Sequence, residues 1–269
     1  MGLQVEPGLA EDMDLGARIK DRTVFVTGAS GGLGAHFARL VARHGAAVAI
    51  GARRRGKVEA LCREVERLGA KRALALDLDV ADEASVLQAL AETEQALGPI
   101  DVLVNNAGIG GEGGRAVDTT TADFDNVIAT NLRGVWLMSI AAARAWVAAK
   151  RPGVIVNIAS ILGFRVSVGV APYAVSKAGV VQMTAALALE WARHGIRVNA
   201  LAPGYIETDI NAGFIASEAG QAMLKRIPMR RIGQPDDLDG VFLLLATDAS
   251  AWMTGAVVPV DGGHLVSTL

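Results

Sequence analysis

The chain has 269 residues, and its 26 lysines and arginines against 28 aspartates and glutamates leave a net charge of −2. With 51% hydrophobic and 20% charged residues it is not an intrinsically disordered chain, and its charge balance offers no electrostatic footprint for nucleic acid or an anionic membrane. A single cysteine, Cys62, excludes an intramolecular disulfide, and the scattered His36, His44, His194 and His264 lack zinc-ligand spacing.

Residues 1–20 are acidic and show no apolar periodicity, which predicts a flexible arm ahead of a folded domain over 21–269. They contain no apolar h-region, and no uncharged apolar run reaches the ~20 residues of a membrane span. The expectation is a cytoplasmic protein with no membrane or nucleic-acid partner. From residue 23 onward, short apolar runs at 23–27, 47–50, 73–76, 102–104, 154–158, 197–201 and 257–260 read as strands, separated by segments of helix length. Strands that are apolar without alternation, each followed by a helix, predict a parallel sheet covered on both faces. No linker or composition break divides the chain, so one doubly wound α/β domain is expected.

The first strand runs into Thr27-Gly28-Ala29-Ser30-Gly31-Gly32-Leu33-Gly34, followed by an amphipathic segment over 35–44. A strand, a glycine turn and a helix start present free N–H groups and the positive end of a helix dipole, a geometry that suits a pyrophosphate in a Rossmann-type fold. A literal GxGxxG at Gly108, Gly110 and Gly113 lacks a following helix; it reads either as a lip near the site or as a plain surface connection. The second strand ends without the acid that binds NAD ribose hydroxyls, in Arg53-Arg54-Arg55-Gly56-Lys57 instead. Four cations at a helix start oppose its dipole, which points to an anion such as a 2′-phosphate or, alternatively, to a solvated charge run. Of the four, Arg53 sits nearest the strand end.

Of only two tyrosines, Tyr173 precedes Lys177 by four residues at the start of a helix reading to about residue 193, so the two side chains share a face. An ammonium beside a phenol favours the phenolate and lowers a pKa that starts near ~10.

These residues resemble the short-chain dehydrogenases/reductases over about 18–266. TGxxxGxG from Thr27 to Gly34, Asn105-Asn106-Ala107-Gly108, Ser160 thirteen residues before Tyr173, Lys177, Pro203-Gly204 and Val260-Asp261-Gly262-Gly263 follow that family's order and spacing. The resemblance implies a seven-stranded sheet and a catalytic tetrad of Asn131, Ser160, Tyr173 and Lys177. Ser160 would orient the substrate oxygen, Tyr173 exchange its proton, Lys177 lower the tyrosine pKa and hold the nicotinamide ribose, and Asn131 support a water relay. It further implies cofactor contacts from Gly28, Ser30, Gly32, Leu33, Gly34, Asn106, Ala107, Gly108, Pro203, Gly204 and Ile206. Asp79 and Val80 would bind the adenine, with Asp77 as a competitor for that role, Thr208 the carboxamide, and Arg53 the phosphate of NADP(H), the preferred cofactor over NAD(H). Gly31 stands where many NADP-preferring relatives carry Arg, Lys or Ser.

The activity implied is interconversion of a ketone and a secondary alcohol, with a 3-oxoacyl thioester reductase as one option. A non-enzymatic dinucleotide-binding regulatory protein is the alternative, against which the intact tetrad argues. Ile206, Ile210, Phe214, Ile215, Met223 and Leu224 favour a partly apolar small-molecule substrate. Arg151 matches one of two basic carrier-docking positions of the carrier-protein reductases, but His194 stands at the other. The segments 134–149 and 178–192 are apolar nearly all round, which predicts a second buried surface and hence a homo-oligomer; the resemblance makes it a tetramer.

Overall fold

All seven expected strands form, and each is followed in the chain by helical structure or, for the last, by a single short turn. The structure is a computed structural model and describes residues 14–208 and 217–267. In chain order the elements are β1 (Thr23–Thr27), α1 (Gly32–Arg43), β2 (Ala47–Ala52), α2 (Arg55–Leu68), β3 (Arg72–Asp77), α3 (Glu83–Leu97), β4 (Val102–Asn105) and α4 (Thr121–Ile128). They continue with α5 (Gly134–Ala148), β5 (Gly153–Ile158), α6 (Ala171–Trp191), β6 (Ile196–Pro203), α7 (Glu218–Leu224), α8 (Asp239–Ala246) and β7 (Val257–Val260).

The strands form one sheet in the order β3-β2-β1-β4-β5-β6-β7, with every pairing parallel. Successive side chains of a strand leave on opposite faces. Accordingly Val24 and Val26 of β1 join Phe37, Val58 and Phe242 of α1, α2 and α8, while Phe25 joins Val86, Met138, Trp146 and Leu187 of α3, α5 and α6. Phe37 and Phe242 stack at 4.3 Å. Full burial of such a side chain stabilises by about 1.5–3 kcal/mol. Trp146 donates its indole N–H to the Ile100 carbonyl at 2.7 Å and lies over Gly153, where a β-carbon would come within 2.3 Å of the ring.

Helix starts are fixed by side-chain caps: Asp82 accepts from Ala84 N–H ahead of α3, and Thr120 from Asp123 N–H ahead of α4. Gly69 ends α2 in the left-handed region at φ 115°. Strand order reverses between β1 and β4, which opens a crevice at their carboxyl ends.

The expected arm is shorter than 1–20. Asp14 accepts from the N–H groups of Gly16 and Ala17, Ile19 is fully buried, and Arg18 pairs with Asp248 at 2.9 Å. One buried isoleucine is too sparse a signal to register as periodicity. Residues 1–13 lie outside the described residues. Among the described residues no helix is long and apolar enough to cross a membrane.

Candidate active site

The loop after β1 is built on close backbone approach. Gly28 has φ +66° and would place a β-carbon 2.5 Å from the Ala107 Cα; at Gly34 a β-carbon would lie 2.4 Å from Asn106 Nδ2. The loop is clasped from β4's end: Asn106 donates its amide to the carbonyls of Thr27 at 3.0 Å and Gly28 at 3.3 Å, and the Thr27 hydroxyl accepts from the N–H groups of Asn106 and Ala107. Ser30, Gly32 and Leu33 remain partly exposed at the start of α1. A cradle walled by backbone and opening on a helix N-terminus fits a dinucleotide's pyrophosphate.

At the end of β2 the arginines differ in what they touch. Arg53 is exposed, whereas Arg54 reaches back to the glycine loop and donates from Nε and Nη2 to Ser30 Oγ at 3.0 and 2.7 Å. Arg55 pairs with Glu59 at 2.9 Å. The arginine that contacts the loop is therefore Arg54, which the sequence alone leaves open between an anion contact and a solvated charge. Asp79 lies partly buried with Oδ1 accepting from Ala81 N–H at 3.0 Å, while Asp77 is exposed at the end of β3; Val80 is buried against Gly134.

The tetrad residues converge from three elements. Ser160 follows β5 and caps a short 3₁₀ turn (Ile161–Gly163), its hydroxyl accepting from Leu162 N–H at 3.1 Å. It lies close enough to the Tyr173 phenol to lower its pKa. Tyr173 and Lys177 lie one turn apart in α6, as expected, with the ammonium 5.6 Å from the phenol ring centre. Asn131 is fully buried in a π-helical turn (Ala129–Arg133) between α4 and α5, a type of turn found frequently at functional sites. Its Oδ1 accepts from Ile109 N–H at 2.8 Å, and its Nδ2 donates to the Ile109 carbonyl and to Ser176 Oγ. Gly108 sits against both Asn131 and Lys177, where a β-carbon would lie 3.4 and 3.7 Å from their polar atoms. Asn131 thus ties the β4 loop to α6.

In the protein alone, burial raises the pKa of the Tyr173 phenol, with hydrogen bonding from Ser160 opposing and the neighbouring Tyr205 adding to the rise. Lys177 directs its ammonium to the Ile158 carbonyl at 2.7 Å, and burial pushes its own pKa down to about 8.

Pro203 ends β6, and Gly204 passes so close to Asp261 that a β-carbon would meet it at 2.6 Å. Ile206 is buried and bridges Gly233; Thr208 is partly buried. Of the apolar residues expected over the substrate, Ile210, Phe214 and Ile215 lie outside the described residues. The second glycine run forms an open loop in which Gly114 N–H donates to the Gly169 carbonyl, so it borders the segment between Ser160 and Tyr173 and has a 3₁₀ turn (Ala116–Asp118) after it. A separate cavity of about 550 Å³ opens at the opposite, amino edge of the sheet, lined by Arg22, Asp101, Arg151 and Trp252, away from these groups.

Residues 28–264 match the family model described as enoyl-(acyl carrier protein) reductase. The chain is 37% identical over 243 residues to gluconate 5-dehydrogenase of Gluconobacter oxydans, covering 90% of this chain and 94% of the relative. It is 37% identical over 252 residues to a 3-oxoacyl-[acyl-carrier-protein] reductase of Thermotoga maritima, covering 93% and 100%. Among solved structures, gluconate 5-dehydrogenase of Burkholderia cenocepacia, in complex with NADP and tartrate, superposes with a TM-score of 0.88 at 36% identity over 94% of this chain and 99% of that one. With the sheet order, the glycine cradle and the Ser160, Tyr173 and Lys177 arrangement already in place, this likeness along nearly the whole chain means that the protein belongs to the short-chain dehydrogenase/reductase family of oxidoreductases acting on CH–OH groups.

Proposed function

We propose that the chain is an NADP(H)-dependent oxidoreductase that interconverts a ketone and a secondary alcohol. The observation that carries this reading is Tyr173, with Ser160 beside its phenol and Lys177 one turn on, at the same sheet edge as the glycine cradle. Ser160 orients the substrate oxygen, and Tyr173 passes its proton to that oxygen on reduction or takes it back on oxidation. Lys177 lies within reach of the phenol and holds the ribose side of the dinucleotide, and Asn131 fixes the β4 loop and α6 relative to each other. Bound in the cradle of Gly28, Ser30, Gly32, Leu33, Gly34, Asn106, Ala107 and Gly108, a nicotinamide dinucleotide supplies or accepts the hydride. Asp79 and Val80 flank the adenine; Pro203, Gly204, Ile206 and Thr208 face the nicotinamide end.

NADP(H) is preferred because β2 ends without an acid and with Arg53 and Arg54 at the loop, and the Burkholderia relative was crystallised with NADP. A 3-oxoacyl thioester is a second substrate reading, supported by the likeness to the Thermotoga reductase. Arg151, the expected carrier-docking residue, is engaged with Asp101 at 3.1 Å, which favours a small free ketone or alcohol instead.

The experiment is Tyr173→Phe, which removes only the proton-transferring oxygen. It should reduce NADPH-dependent turnover of a ketone panel by ~10² to 10⁴ while NADPH binding, followed by fluorescence, is kept. Retention of most activity would remove Tyr173 from the proton-transfer role.

A further inference from the structure

We propose that the substrate of this site carries a carboxylate, received by Arg165 and His264. The inference rests on the oxidoreductase reading above and names its substrate class.

Arg165 lies in the segment between Ser160 and Tyr173, so the chain itself holds it close to the reacting groups. It is partly buried and donates from Nη1 to the backbone carbonyl of His264, and no carboxylate pairs with it among the described residues. A guanidinium presents five donors in a rigid fork matched to a carboxylate, so this one has unused donors. His264 is 5% exposed, and its Nδ1 has no hydrogen-bond partner among the described residues. A buried polar atom left unmet costs about 1–3 kcal/mol, so its retention calls for a ligand. The His264 ring lies 5.6 Å from the Tyr205 ring, and Tyr205 in turn acts on Tyr173. Arg165, His264 and Tyr205 are thus linked in series, and the last acts on Tyr173.

The surrounding charge has the sign that an anion needs. Arg165 and Arg226 both act on His264, against the single acid Asp261, whose two carboxylate oxygens already accept from the N–H groups of Gly263 and Leu265. Burial and these cations hold His264 towards its neutral form, in which a proton on Nδ1 can be donated to a carboxylate oxygen. The fork and the imidazole together supply donors for both oxygens of the group. Near them in sequence the exposed side chains include Phe164, Val166 and Val168 on the Arg165 segment and Val266 beyond His264. The ligand is then an apolar or partly apolar ketone or alcohol with a carboxylate at one end.

The test uses 4-oxocyclohexanecarboxylate and its methyl ester with NADPH, and cyclohexanecarboxylate as a non-reacting ligand. The wild type should show kcat/KM at least tenfold higher for the acid than for the ester. Arg165→Gln should lower the acid value roughly tenfold to a hundredfold, as loss of a charge-assisted contact implies. It should move the ester value less than about threefold, and Arg165→Lys should restore part of the difference. Unchanged melting temperature and NADPH affinity in the variant would exclude misfolding as the cause. Equal use of acid and ester by the wild type, or equal losses on both in Arg165→Gln, would overturn the carboxylate subsite and leave the oxidoreductase reading intact. If neither ketone is reduced, the subsite is judged by binding alone. Thermal stabilisation of the NADPH-loaded protein by cyclohexanecarboxylate, lost in Arg165→Gln, supports it; no stabilisation, or the same stabilisation in both, overturns it.

Discussion

Replacing Lys177 with methionine removes a buried charge while nearly keeping the side chain's length. Lys177 is 4% exposed, and burial lowers its pKa from 10.5 to about 8. A lysine with a lower pKa in the folded state binds fewer protons there than in the unfolded chain. Stability therefore rises with pH between about 8 and 10.5, and the cost of burying the ammonium is fully present below that window. At about 1.36 kcal/mol per pH unit, the interval corresponds to roughly 3 kcal/mol, of which about 2 is regained by pH 10. Urea denaturation of wild type and Lys177→Met at one fixed protein concentration, from pH 7 to pH 10, isolates the lysine, because other titrating groups cancel in the difference. The wild type should gain about 2 kcal/mol on the variant across that range, and the variant should lose turnover throughout. A difference constant to within about 0.5 kcal/mol would refute burial as the dominant influence on the Lys177 ammonium.

Arg53→Ala and Arg54→Ala should each lower kcat/KM for NADPH with little change for NADH. Both arginines are exposed, so each loss should lie near the tenfold end of the range for a charge-assisted contact and shrink at high salt; an unchanged cofactor ratio in the double variant would show that neither meets the phosphate. Gly34→Ala would push a β-carbon to 2.4 Å from Asn106 Nδ2 and 2.8 Å from the Gly28 carbonyl, so a loss of about 1–3 kcal/mol and of NADPH affinity is expected by thermal melting and fluorescence titration. Trp136 and Val147 of α5 and Val175 and Leu189 of α6 are exposed in the single chain, the last at 83%. Light scattering coupled to gel filtration should therefore find an oligomer, expected to be a tetramer, and a stable active species of 27.9 kDa would contradict the argument from burial.

The sheet was legible because strands buried on both faces are apolar without alternation, and all seven runs are strands. Their ends were less so: Arg72 and Asp77 belong to β3 through pairing with Ala47 and Ala52 and carry no apolar signal. Tyr173 and Lys177 were legible because a spacing of four fixes a shared helix face whatever the rest of the chain does. Choosing between Arg53 and Arg54 needed the direction in which the chain leaves β2, which composition does not carry. The π-helical turn at Asn131 was invisible for a similar reason, since it depends on which backbone partners the turn finds. Arg165 left no sequence signal at all, because its partner His264 is 99 residues away.

The two sides of the site are held together in different ways, and this bears on how substrate choice and hydride chemistry are separated. On the cofactor side, Gly28, Gly34 and Gly108 touch backbone or buried amides, and Asn106 and Asn131 each make at least two further hydrogen bonds, so almost any substitution displaces several groups. On the proposed substrate side, Arg165, Tyr205 and His264 come from segments far apart in sequence, Arg165 meeting the His264 backbone carbonyl and the Tyr205 and His264 rings lying 5.6 Å apart. A close-packed cradle transmits strain further than side chains brought together from distant segments. Changes at Arg165 or His264 should therefore alter which alcohol or ketone is accepted while the distance between Tyr173 and the cradle stays fixed.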